Sequence, residues 1–276
     1  MRFVRYGEKG AEKPGVLDSE DRIRDLSGTI NDLAGAVLGD LPATDPETLP
    51  LVDGAPRLGV PVAGIGKLVG IGLNYIDHAA ELGVEPPNEP VVFMKATSAI
   101  NGPFDDVVLP RGSEKGDWEV ELGIVIGKHT AYVDEAQALH RIAGFTIVND
   151  VSERRFQLEM SGQWTKGKSC DTFGPIGPWL VTPDEVGDPH ALDVSTHVNG
   201  ERMQGGNTST MIFSVAHIVS HLSQIMSLQP GDVIATGTPP GVGMGHKPPR
   251  FLREGDVMEI AIDKLGKQRQ KVKQAV

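Results

Sequence analysis

Apolar residues recur along this chain in short runs closed by glycine, proline and acidic residues, at 67–73, 91–94, 118–126, 144–148, 179–181, 194–198, 233–235 and 257–262. Runs of that length between turn residues predict strands, here of one extensive sheet system. Helical periodicity is clear over 212–226, where Val215, Ile218, Val219, Leu222 and Met226 fall on one face. Residues 74–83 predict a shorter helix, capped near Asn74 and stopped by Gly83. Before residue 65 the pattern is more broken. Met1, Phe3 and Tyr6 suggest a first strand, Gly15-Val16-Leu17 and Ile23 to Leu26 follow turn residues, and a short helix is expected over 30–38. Prolines 42, 46, 50, 56 and 61 then forbid a long helix. The expected organisation is a small N-terminal α+β domain over 1–65 and a main domain over 66–276, in a fold of the α+β class that is mainly β.

Composition sharpens this picture. With 276 residues the chain can bury a full core without disulfides or a structural metal. Its 34 glycines and 20 prolines are about a fifth of the chain, against a usual ~12%, which fits a turn-rich, sheet-rich fold. The net charge of −11 is a poor match for nucleic acid or anionic lipid, so neither is expected as a partner. One cysteine, Cys170, excludes an intrachain disulfide framework and fits a reducing compartment. The first residues carry two arginines and no long apolar stretch, and no run is long enough to span a membrane. The expectation is a cytoplasmic protein.

Candidate chemistry is concentrated in a few segments. Along Asp117-Trp118-Glu119-Val120-Glu121-Leu122, period-2 alternation puts Asp117, Glu119 and Glu121 on one face of a strand. Carboxylates at i and i+2 repel unless solvated or bridged, so the segment reads either as an edge strand with a wet acidic face or as two oxygen ligands for a hard divalent ion. Asp150 ends another apolar run and reads as a cap or as a third such carboxylate. His78 and Glu81, three apart on the short helix, can hydrogen-bond, which reads as a surface pair or as a general base oriented by a carboxylate.

Other features are weaker. Gly162-Gln163-Trp164-Thr165-Lys166-Gly167-Lys168-Ser169 matches the P-loop spacing, but no buried strand precedes it and Cys170 to Pro178 cannot form the phosphate-binding helix that must follow. What remains is Lys168 in a glycine-flanked loop, suited to an oxyanion or a carboxylate. His217 and His221 have the spacing of a zinc pair but lie opposite the apolar stripe of their helix, and read as surface residues. Cys170 has no base assigned by spacing and reads as a packed thiol. The loop Thr236-Gly237-Thr238-Pro239-Pro240-Gly241 lacks dinucleotide spacing, yet its amides and hydroxyls could hold a small anion.

Together these segments resemble the fumarylacetoacetate hydrolase family, in the family's order from about residue 67 to 264. The resemblance rests on Gly72-Leu73-Asn74-Tyr75 with His78 and Glu81, Phe93-Met94-Lys95, Asp117 to Leu122, Asn149-Asp150-Val151-Ser152, Gly167-Lys168-Ser169 with Asp171 to Pro175, and Thr236 to Gly243. It implies a mixed β-sandwich roll, a homodimer, and Mg²⁺ or Mn²⁺ (Ca²⁺ as a substitute) held by Glu119, Glu121 and Asp150. It also implies His78 as base supported by Glu81, Lys168 in catalysis, and Gln157 and Thr238 on substrate oxygens. The short N-terminal part is similar to bacterial members among which are diketo-sugar-acid hydrolases and proteins called ureidoglycolate lyases. The expected activity is hydrolysis of the C–C bond of a 2,4-dioxo acid to pyruvate and a carboxylic acid, through attack of water on C4. Ureidoglycolate cleavage, oxaloacetate decarboxylation and 2-oxo acid hydration or isomerisation are alternatives, and a non-catalytic binding protein is a further one. Glu153 and Arg155 depart from the Ala and Asp frequent in the family, so a different wall beside the metal is expected. The segment after Gly83 and the Gly205-Gly206 loop are expected to shape the pocket.

Overall fold

The computed structural model describes all 276 residues. Its main sheet runs in the order Ile23–Asp25, Lys13–Leu17, Arg2–Tyr6, Gly174–Val181, Ile142–Asn149, Val120–Ile126, Val233–Ala235, Leu68–Gly72, Val91–Lys95. Along this path only Val233–Ala235 and Leu68–Gly72 pair in parallel. A second sheet orders Glu201–Asn207, Asp193–Val198, Val257–Ile262, Gly266–Gln274, Val107–Leu109. Strands therefore dominate, as the clustered turn residues require, and the architecture is the mixed β-sandwich roll expected.

Val120–Ile126 explains how the layers assemble. Its even positions Val120, Leu122, Ile124 and Ile126 enter one core with Val194, Ile260 and Ile262 of the second sheet and with Val215, Ile218, Val219 and Leu222 of the helix Val215–Ile225. On the opposite face, Val125 joins Val148, Val233 and Leu68 in a second core. That second core is closed by Phe3, Val16, Leu26, Leu33, Leu38 and Val62, so the first 65 residues form the cover of one face of the main sheet and also supply the three strands at one of its edges. A strand buried on both faces is incompatible with the wet acidic edge allowed by its alternation: the acids at its start lie inside the molecule.

Several details differ from expectation. Over 30–38 there is no α-helix but a 3₁₀ turn, Gly35–Gly39, which brings Leu38 into the second core. The strands Glu201–Asn207 and Gly266–Gln274 lie outside the expected set, because their sequences, ERMQGGN and GKQRQKVKQ, carry almost no apolar run. Gly266–Gln274 buries Gln268 and Gln270 where a core strand usually has aliphatics, and satisfies their amides on Ile147 O, Gly177 O and Pro103 O at 2.6 to 3.0 Å. No helix is long and apolar enough to cross a membrane.

Candidate active site

Register assembles the acidic centre. Val148 pairs with Glu121 and Asn149 with Val120, and the ladder continues as Asp150 N donates to Glu119 O at 2.9 Å. Asp150 thus lies opposite Glu119 and two residues beyond Val148 on the same face, with Glu121 beside them. One carboxylate oxygen from each of Glu119, Glu121 and Asp150 lies within 4.8 Å of the others, and all three residues are buried. The backbone pairing, not the side chains, forces these like charges together.

Three cations stand around them. Lys168 Nζ bridges Glu119 Oε2 at 2.6 Å and Asp150 Oδ2 at 2.7 Å, and Lys95 Nζ donates to Asp150 Oδ1 at 2.5 Å. Arg154 spans Asp117 Oδ2 at 2.8 Å, Glu119 Oε1 at 2.6 Å and Gln157 Oε1 at 3.0 Å. Burial pushes the Glu119 carboxyl up, but Lys168 and Arg154 outweigh it and hold Glu119 ionised well below the usual range. Glu121 behaves oppositely. Burial first, then Asp150 and Glu119, push its carboxyl well above the usual range, and its partner is an amide, Gly237 N at 2.8 Å, with no cation of its own.

That imbalance tests the fit of a metal. Counting Asp117, Glu119, Glu121 and Asp150 against Lys95, Arg154 and Lys168, the acids outnumber the cations by one, and Glu121 is the acid left without a cation partner. A divalent cation among the three oxygens would supply the missing counter-charge, and an all-carboxylate donor set suits a hard ion. The residues present fit the group.

His78 reaches the same place from a different element. Leaving the strand Leu68–Gly72, the chain turns through Leu73 in a left-handed conformation (φ 54°), and Asn74 is locked by Phe213 N at 2.7 Å and Thr236 O at 2.8 Å. The helix Ile76–Leu82 follows and ends at Gly83 in the left-handed region. Its His78 Nδ1 lies 2.9 Å from Glu81 Oε2, while Glu81 Oε1 accepts from Gly241 N at 2.8 Å. Burial raises the Glu81 carboxyl, but the hydrogen bonds from His78 and the Gly241 amide outweigh it and hold it below its ordinary value. An ionised Glu81 can only accept, so Nδ1 is the donor of that bond, and Nε2 is the ring nitrogen left to face the cavity chemistry.

Lys168 comes from the stretch that resembles a P-loop, and Gln157 from the π-turn just before it. That stretch forms a single turn, Thr165–Lys168, preceded by the π-turn Arg155–Glu159 and not by a strand, so no phosphate cradle exists. Gly167 is required there: a Cβ would lie 2.4 Å from Glu153 O. Gly237, at φ 94°, is required too, with an added Cβ 2.8 Å from the Asn74 Cβ. Thr238 Oγ1 donates to Val120 O at 2.9 Å and accepts from Gln204 Nε2 at 2.8 Å. His78, Glu119, Glu121, Gln157, Lys168 and Thr238 all line one cavity of about 180 Å³.

Some residues take other places than their spacing suggests, and Arg154 was not singled out at all. Asp117 does not face the trio as a ligand: it accepts from Gly243 N at 2.6 Å, Met244 N at 3.1 Å and Arg154, pinning a loop. Arg154 and Lys95 lie in the charge network, and the signal for Lys95 was a lysine closing an apolar strand. Glu153 is turned away from the cavity onto Ser113 Oγ and the Lys115 amide, and Arg155 is half-buried beside Gly112 O, so neither builds the expected different wall. Cys170 is half-buried and burial pushes its thiol up to about 11, consistent with an inert packed residue. His217 is paired with Glu135 Oε1 at 2.9 Å and stacked on His221, on the outside of its helix.

With this geometry in view, the comparisons are consistent with one another. The family model for the Fumarylacetoacetate (FAA) hydrolase C-terminal domain matches residues 67–273. A 2,4-didehydro-3-deoxy-L-rhamnonate hydrolase of Sphingomonas is 57% identical, over 99% of this chain and 96% of its own. Among solved structures, a fumarylacetoacetate hydrolase of Exiguobacterium antarcticum superimposes over 100% of both chains with a TM-score of 0.90 and 36% identity. A 5-carboxymethyl-2-hydroxymuconate delta-isomerase of Mycobacterium smegmatis does so over 100% of both with a TM-score of 0.80 and 31% identity. The chain belongs to the fumarylacetoacetate hydrolase family of enzymes.

Proposed function

We propose that this enzyme is a divalent-metal-dependent hydrolase that cleaves the C3–C4 bond of a 2,4-dioxo acid of the diketo-deoxy sugar-acid type, giving pyruvate and a carboxylic acid. The observation that carries the reading is that His78, hydrogen-bonded to Glu81 behind it, lines the same small cavity as Glu119, Glu121 and Lys168. A cavity of about 180 Å³ is well below the ~300–1,000 Å³ typical of drug-sized ligands, which suits a small acid. The 57% identical Sphingomonas relative, named for such a substrate, supports the same class.

Glu119, Glu121 and Asp150 would hold the ion, with Mg²⁺ or Mn²⁺ preferred by an all-oxygen donor set. When bound, it supplies Lewis-acid stabilisation of charge on the 2-oxo side of the substrate, worth several kcal/mol. His78 Nε2 takes a proton from water as the oxygen attacks C4, and Glu81 steadies the imidazolium that results. Lys168 Nζ and the Gln157 amide, buried beside the cavity, stabilise the oxyanion at C4. When C3–C4 breaks, its electron pair passes to C3 and the 2-oxo oxygen; protonation of C3 gives pyruvate, and C4 leaves as a carboxylic acid. Thr238 is held by Gln204 and Val120 as a fixed contact for a substrate oxygen.

The test is pyruvate release from a simple acylpyruvate by purified protein, with Mg²⁺, Mn²⁺ or chelator, and with oxaloacetate and ureidoglycolate in parallel. Metal-dependent pyruvate formation, fastest from the acylpyruvate, is expected. A second reading, isomerisation, draws on the Mycobacterium smegmatis isomerase, since the same base could move a proton at C3 without attack by water; turnover of a 2,4-dioxo acid without pyruvate would favour it.

A further inference from the structure

The charged groups of the cavity lie at its floor, beside the buried Ile71 and Phe93, and its exposed rim is apolar. His78, Glu119, Glu121, Arg154, Gln157 and Lys168 at the floor are all buried. Leu82, Trp164 and Met244 in the wall are half-buried, and Val84 (43% exposed) and Leu158 (44% exposed) stand at the opening. Every charged group lining the cavity belongs to the floor, and both fixed cations there are committed: Arg154 to Asp117 and Glu119, Lys168 to Glu119 and Asp150. Lys166, on the neighbouring turn, is directed away onto Met160 O at 2.7 Å.

We infer that the acyl side of the substrate is a short, uncharged tail ending in an apolar group, and that Val84, Leu158, Leu82, Trp164 and Met244 select it against a tail ending in a carboxylate. The inference rests on the proposed 2,4-dioxo acid reading for the orientation: the carboxylate and 2-oxo group go to the charged floor, which leaves the substituent beyond C4 against the rim. A second carboxylate would have to be desolvated against leucine, valine and tryptophan, with no cation at the rim to meet it.

The test separates tail preference from turnover. Calorimetric titration of the Mn²⁺-loaded enzyme with 2-oxoheptanoate and with 2-oxoheptanedioate compares a terminal methyl with a terminal carboxylate on ligands that lack the 4-oxo group and so cannot undergo the hydrolysis. The methyl-terminated acid is expected to bind about 100-fold more tightly, the scale set by burying an unpaired charge. In Leu158→Lys and Val84→Lys the ratio should fall by about tenfold or more, as a new cation meets the second carboxylate. Equal or tighter binding of the diacid to the natural enzyme overturns the inference, whatever the outcome of turnover. Hydrolysis of 2,4-dioxoheptanoate against 2,4-dioxoheptanedioate then reads the proposed activity itself. Failure on both, with the binding preference intact, overturns the hydrolase reading and leaves the tail selectivity standing.

Discussion

His78 is the residue on which the proposed reaction depends. Its Nδ1 is tied to Glu81, and it makes no hydrogen bond to Glu119, Glu121 or Asp150. Replacing His78 with Ala should therefore lower kcat by roughly 10² to 10⁴ while leaving Mn²⁺ affinity unchanged by calorimetry; activity near that of the natural enzyme would remove His78 from the base role. Glu81 gives a pH prediction whose sign follows from its direction of shift. Its folded-state carboxyl lies below the ordinary value, so its contribution to stability is full above the ordinary carboxylate range and is lost as pH falls through the lowered native value. The urea midpoint of the natural protein should exceed that of Glu81→Gln most at pH 7, and the gap should close in acid. A gap that does not change with pH would mean that the carboxylate is not held low. Such pairs were legible at this scale because an i, i+3 spacing on a helix is local. Arg154 and Asp117 were not, since their contact joins residues 37 apart in sequence.

Elements, not single residues, place the acids. The strand Val120–Ile126 and its neighbour Ile142–Asn149 fix Asp150 opposite Glu119, while the loop after Val233–Ala235 brings Gly237 N to Glu121. Gly237→Ala is the sharpest test of that loop. A Cβ would be added at φ 94° and within 2.8 Å of the Asn74 Cβ, so the variant should lose about 1–3 kcal/mol of stability in urea unfolding. It should also bind Mn²⁺ more weakly, because the amide on Glu121 shifts. Unchanged stability would show that the loop tolerates a side chain there. The apolar strands of the main sheet were readable because each is a run of aliphatics between turns. Glu201–Asn207 and Gly266–Gln274 were not, because a strand that hydrogen-bonds its buried glutamines to neighbouring backbone has no apolar signature.

At the scale of the whole molecule, the first 65 residues share a sheet and a core with the rest: Arg2 pairs with Val181, Phe3 with Leu180, and Leu26, Leu33 and Leu38 pack with Val125 and Val148. Unfolding in urea should accordingly be one transition, followed alike by fluorescence and by far-UV circular dichroism. Two separated transitions would mean that the N-terminal segment unfolds on its own. Adding Mn²⁺ at about 100 times its Kd should stabilise the protein by about 2.7 kcal/mol, an effect that chelator and Asp150→Ala should remove.

The sequence by itself determined the class of the fold, the family, and the chemical types at the site: acids at i and i+2 on a strand, a histidine one helical turn from a glutamate, a lysine in a glycine-flanked loop. These are local patterns, and short-range geometry decides them. Tertiary structure alone decided that the acidic strand is central and dry, that Glu121 lacks a cation while Glu119 and Asp150 have theirs, and that the cavity turns from a charged floor to an apolar rim. Each of those depends on which distant segments share a register or a core, and such pairings are set by the packing of the whole chain and not by the spacing of residues along it.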